Sequence, residues 1–97
     1  MKSQIAYLHG FVSGPGSTKA QFFHARLAAL GVELAIPDLA PDFGRMTIGS
    51  ELAVVEELLD AAPQTILLGS SLGGYLAALA AERHPERVPG LVLLAPA

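Results

Sequence analysis

The sequence predicts an α/β fold: a parallel sheet of about four strands with three helices on both faces. Two observations carry this expectation. Apolar runs of strand length, at residues 5–8, 32–36, 65–68 and 91–94, alternate with segments of helical period. The runs are continuously apolar, as strands covered on both faces are. The 97 residues suit one domain, 1–97, and no linker, repeat or low-complexity segment interrupts them.

The first strand is Ile5-Ala6-Tyr7-Leu8, and a loop rich in Gly and Ser follows at residues 10–17. Thr18 starts the first helix, with Gln21 three residues on as a capping-box partner. Phe23, Leu27 and Leu30 fall on one face at i, i+4, i+7, and Gly31 supplies the C-terminal cap. The second strand, residues 32–36, ends at Pro37, which cannot donate to a ladder and so marks a sheet edge. Residues 38–46 read as a loop, Asp42 included. The second helix covers about residues 47–62. Ile48, Leu52, Val55, Leu59 and Ala62 form its buried stripe, and Glu51, Glu56, Glu57 and Asp60 its solvated face. Pro63 stops it. The third strand, residues 65–68, enters a sharp turn at 69–74. An Ala-rich third helix spans about residues 72–83, and the last strand, residues 91–94, stops at Pro96.

Composition narrows the function classes. The chain is 52% apolar and 15% charged, against about 45–50% and about 25% in ordinary domains. So apolar a chain must bury surface somewhere, by self-association or against a missing remainder. Net charge is −3 with no Lys/Arg run, which argues against nucleic acid. No apolar run reaches the ~20 residues that span a bilayer, and no signal-peptide cleavage site is expected near the start. The absence of cysteine excludes disulfides and a thiolate zinc site. No histidine pair has metal-ligand spacing, so neither a metal nor a cofactor is expected. These features fit a cytoplasmic protein.

Gly69-Ser70-Ser71-Leu72-Gly73 matches G-x-S-x-G between a buried strand and a helix, the context a nucleophile elbow requires. The turn lifts the Ser71 hydroxyl above the sheet, and Gly69 and Gly73 leave room for its strained backbone. The positive helix end and the N–H of Leu72 can stabilise an oxyanion. Leu8-His9-Gly10-Phe11 ends the first strand, where this arrangement takes its second oxyanion donor, here the N–H of Phe11. Tyr75, after the elbow, reads as core packing or as site lining. Residues 14–19 look superficially like a phosphate loop, but Lys19 follows Ser17 and Thr18 instead of preceding them, and Pro15 removes a donor.

Together with the helix start Ser17-Thr18-Lys19-Ala20, the stretch Ile36-Pro37-Asp38-Leu39 and the ending Ala95-Pro96-Ala97, these motifs resemble the α/β-hydrolase superfamily, nearest the small YqiA-like esterases. The resemblance spans nearly the whole chain. It implies hydrolysis of a carboxylester through an acyl-enzyme, with Ser71 as nucleophile and the backbone N–H groups of Phe11 and Leu72 as oxyanion donors. Small residues around the elbow and the lack of a lid segment favour small or short-chain esters as substrate. The resemblance further implies two later strands bearing the acid and the histidine, in the order Ser, Asp/Glu, His. The sequence ends before them, so it reads as a fragment or as a truncated α/β-hydrolase fold that completes its site differently.

A serine nucleophile needs a base within hydrogen-bond reach. His84 lies at the far end of the third helix, about 20 Å from Ser71 at ~1.5 Å per residue. His24 reads as a surface residue. His9 has two readings. If the first strand lies between the second and third, then Asp38, His9 and Ser71 share one sheet edge and form a substitute triad. In the other reading, His9 only props the oxyanion loop. The strand 91–94, from Leu91 to Leu94, becomes an apolar edge that invites pairing, and a homodimer or larger assembly is expected through it. The competing function is a non-catalytic fragment or interaction module that needs a partner to complete fold and triad.

Overall fold

The computed structural model describes residues 3–10, 16–39 and 47–94. The elements are β1 (Gln4–Leu8), α1 (Thr18–Ala29), β2 (Leu34–Ala35), α2 (Ile48–Leu59), β3 (Thr65–Ser70), α3 (Leu72–Arg83) and β4 (Gly90–Leu94). The four strands are parallel, in the order β2-β1-β3-β4. The α/β architecture expected from the alternating apolar runs is the one observed. No helix among the described residues is long and apolar enough to cross a membrane.

The order has a physical consequence. The step from β1 to β2 moves to one side of the sheet, and the steps through β3 to β4 move to the other. Crossovers of a single hand then put α1 on one face and α2 with α3 on the opposite face. The core divides accordingly. Tyr7, Ala20 and Leu34 pack with Phe23 and Leu27 of α1. Ala6, Leu8 and Leu67 pack with Val55 and Leu59 of α2 and Leu76 of α3. Ala6 and Tyr7, adjacent in β1, serve opposite layers because successive strand side chains alternate. His84, the C-cap of α3, bonds Glu56 of α2 at 2.8 Å and ties the two helices together.

Several local expectations change. Ser17, one residue earlier than Thr18, is the N-cap of α1, and its hydroxyl accepts the Ala20 N–H at 3.1 Å. The helix ends at Ala29, so Leu30 lies in the terminal turn and is 77% exposed. Gly31 takes φ +77° as the cap requires. Strand β2 has two residues, not five, because the Val32 N–H turns back to the Leu27 carbonyl at 2.8 Å and Pro37 has no donor. Helix α2 stops at Leu59. Thr47 and Ser50 form its capping box, and Ile48 is exposed instead of buried. Strand β3 continues to Ser70, directly against α3.

Glu51, expected on the solvated face of α2, is buried, and Tyr75 is exposed, which removes the core reading offered for it beside site lining. Gly14, Phe11, Asp42 and the ending 95–97 lie outside the described residues.

Candidate active site

The chain leaves β1 and β3 in opposite directions, which makes a switch point between them. Open α/β sheets bind ligands in the crevice at the carboxyl ends of such strands. Leu8 pairs with Gly69 there, so His9-Gly10 and Ser70-Ser71 leave the sheet side by side. A Cβ built on Gly10 would stand 3.3 Å from Ser71 Cβ and 3.7 Å from its Oγ.

Ser71 has φ 56° and ψ −125°. Among the described residues it is the only non-glycine with positive φ. Such a conformation costs about 1–3 kcal/mol and persists where its surroundings enforce it. Here close approach enforces it. A Cβ on Gly69 would lie 2.5 Å from the Gly73 carbonyl oxygen and 2.6 Å from Gly74 Cα, and one on Gly73 would collide with the Leu8 carbonyl. Strand, turn and helix are thus locked against one another with Ser71 at the apex.

Ser71 is also the N-cap of α3. Its carbonyl accepts the Gly74 N–H at 2.9 Å, while its hydroxyl makes no capping bond. The residue is exposed. The first amides of α3, that of Leu72 among them, have no intrahelical acceptor and lie at the positive end of the helix dipole. A negative charge developing beside Ser71 would therefore meet N–H donors.

The strand order brings Asp38, His9 and Ser71 to one sheet edge, but the contacts do not form a relay. His9 is 2% exposed. Its Nδ1 lies 3.0 Å from the Gly10 carbonyl oxygen, and its Nε2 accepts the Leu39 N–H at 3.1 Å. These partners fix the neutral ring with its proton on Nδ1. Both nitrogens are committed to backbone, and neither is directed to the Ser71 hydroxyl. Asp38 Oδ1 stands 4.0 Å from Nε2, beyond hydrogen-bond range. Of the two readings of His9, these contacts match the one in which it props the loop. His9 clamps the loop after β1 to the segment that follows β2.

Glu51, missed in the sequence, belongs to this clamp's surroundings. It is 2% exposed, and its Oε2 has no hydrogen-bond partner among the described residues. Burial pushes its carboxyl above the usual carboxylate range, a shift that only a protonated His9 would oppose. On the other face, Lys19 Nζ donates to Ser70 Oγ at 3.2 Å, one residue from Ser71. The remaining histidines stand apart from the elbow. His24 is exposed on α1, and His84 is held by Glu56. No three metal-ligating side chains among the described residues are grouped to hold an ion.

A strained serine at the β3–α3 apex, above a parallel sheet of this order, defines the class: an α/β-hydrolase fold. The chain belongs to the uncharacterised protein family UPF0227, whose model matches residues 4–97. The structure is similar to mouse alpha/beta hydrolase domain-containing protein 10, with a TM-score of 0.87 and 30% identity over 97% of this chain and 41% of that one. It is similar to the pyrethroid hydrolase PytH, with a TM-score of 0.77 and 29% identity over 94% of this chain and 39% of that one. It shares the fold of a CIB-like hydrolase from Thermoplasma acidophilum, with a TM-score of 0.77 and 19% identity over 98% of this chain and 52% of that one. The chain therefore spans about two fifths to one half of these neighbours. No curated protein matches it.

Proposed function

We propose that this chain carries the nucleophile-bearing part of a serine carboxylester hydrolase acting on small or short-chain esters. The observation that carries the reading is the Ser71 elbow: a positive-φ serine, exposed, uncapped and set against Gly10. Its hydroxyl oxygen attacks the ester carbonyl while its proton passes to a base. The carbonyl oxygen becomes an oxyanion for which the N–H of Leu72 is one donor, with Phe11, outside the described residues, as the second that the resemblance implies. Collapse expels the alcohol, which takes the proton, and leaves an acyl group on Ser71. Water then releases the acid by the same steps in reverse roles. The base comes from outside the described residues, because the buried His9 serves the loop. The hydrolase neighbours support the general class. A cytoplasmic location belongs to the same reading, supported by the lack of cysteine.

A second reading is favoured by β4, which ends the sheet order with Leu91, Val92 and Leu93 exposed. An unpaired apolar edge is a template for another strand. In this reading a second copy of the chain pairs there, or the chain is a non-catalytic module completed by a partner. A fluorophosphonate probe separates the two functions. Labelling that maps to Ser71 by peptide mass spectrometry supports the hydrolase, and an unlabelled, folded chain supports the module.

A further inference from the structure

The Lys19 side chain is the cation beside the elbow, and the proposed reaction does not use it. Its ammonium donates to Ser70 Oγ, and Ser70 itself is 7% exposed. Among the described residues no carboxylate lies within ion-pairing distance of Lys19. A neutral hydroxyl satisfies one of its three protons and none of its charge. Beside it runs a groove of about 500 Å³, lined by Thr18, Lys19, Phe22, Phe23 and Leu94. Phe22 and Phe23 meet edge to face with centroids 5.4 Å apart and give the groove an aromatic wall. Ser70 bridges the two features: its side chain meets Lys19, and its backbone leads into Ser71.

We propose that this groove is a substrate subsite, in which Lys19 selects esters that carry a carboxylate on an apolar, preferably aromatic, arm. The inference rests on the esterase reading for turnover, but binding tests it separately. The arm lies against Phe22, Phe23 and Leu94, and the carboxylate pairs with the Lys19 ammonium. The four-carbon stem of Lys19 continues the apolar surface, as lysine stems do where only the head is solvated. A solvent-exposed ion pair of this kind is worth a few-fold in affinity and weakens with salt.

The probes are benzoate and its neutral near-isostere benzamide, titrated into the isotopically labelled protein and followed by NMR at Lys19, Phe22 and Phe23. Benzoate is expected to bind about three- to fivefold more tightly at low ionic strength, with the ratio falling towards one as salt is raised. Lys19→Arg keeps the ratio, and Lys19→Met and Lys19→Glu lose it. Equal binding of the two ligands by the wild type, or a ratio unchanged in Lys19→Met, overturns the proposal. The matched substrates are 4-acetoxybenzoate and 4-acetoxybenzamide, read as the ratio of their kcat/KM values so that active fraction cancels. If benzoate is preferred and neither ester is cleaved, the subsite stands and the esterase reading falls. If both esters are cleaved without charge preference, the esterase reading stands and the subsite falls.

Discussion

Ser71 adopts a conformation that L-residues avoid, and the two glycines around it leave no space for relief. This geometry was legible in the sequence because G-x-S-x-G between strand and helix has few other physical uses. His9 was less legible. Strand order puts it at the right edge, but only coordinates show its two nitrogens consumed by Gly10 and Leu39. Its removal leaves the Leu39 N–H buried without an acceptor. His9→Ala should therefore cost about 2–4 kcal/mol, read as a lower denaturation midpoint. A midpoint unchanged within error would contradict the clamp. Glu51 hides because its charge suggests solvent, yet it precedes Val55 by one helical turn and shares the buried stripe. Its raised pKa means that the folded state holds its proton more tightly than the unfolded state. Its contribution to stability is present below the ordinary carboxylate range and is lost as pH rises through the folded value. Glu51→Gln should thus gain in melting temperature over the wild type as pH rises above the ordinary carboxylate range. Parallel curves would contradict a buried, proton-holding carboxyl.

At the scale of elements, β2 and the end of α2 depart furthest from the bounds that the sequence predicts. Helix α3 has the expected bounds because Gly74 and the Ala run leave one helical register between the elbow and Pro85. Strand β2 is shorter than the largely apolar stretch 32–36 suggests, because the capping turn of α1 takes the first of its donors. The caps show the same limit. Ser17, Thr18 and Gln21 offer overlapping signals, and backbone geometry chooses Ser17. Two glycine substitutions separate packing from flexibility. Gly73→Ala drives a methyl into the Leu8 backbone, which has no rotamer to yield, and should destabilise by more than about 3 kcal/mol. Gly49→Ala, in the first turn of α2, meets Thr47 Oγ1 at 3.7 Å, an ordinary contact. It should stabilise by about 0.5–1 kcal/mol through helix propensity. Equal effects of the two substitutions in urea denaturation would contradict the close-packed elbow.

For the whole molecule, topology explains why the site is where it is. Reversal of direction between β1 and β3 opens the crevice, and α3 begins at its rim. The same topology leaves β4 as an edge, with apolar side chains on both of its faces in solvent. If a second copy covers it, Val92→Lys should shift the chain from dimer to monomer in light scattering. A wild type that is already a monomer would contradict the dimer. What the sequence could not convey is which surfaces meet: the Lys19–Ser70 contact joins residues 51 apart, and no local pattern encodes it. The central claim is that Ser71 performs chemistry, and its most direct test is p-nitrophenyl acetate hydrolysis by the wild type and Ser71→Ala. Turnover by the wild type and a loss of about 100-fold or more in the variant are expected. Equal rates in two folded proteins would contradict it.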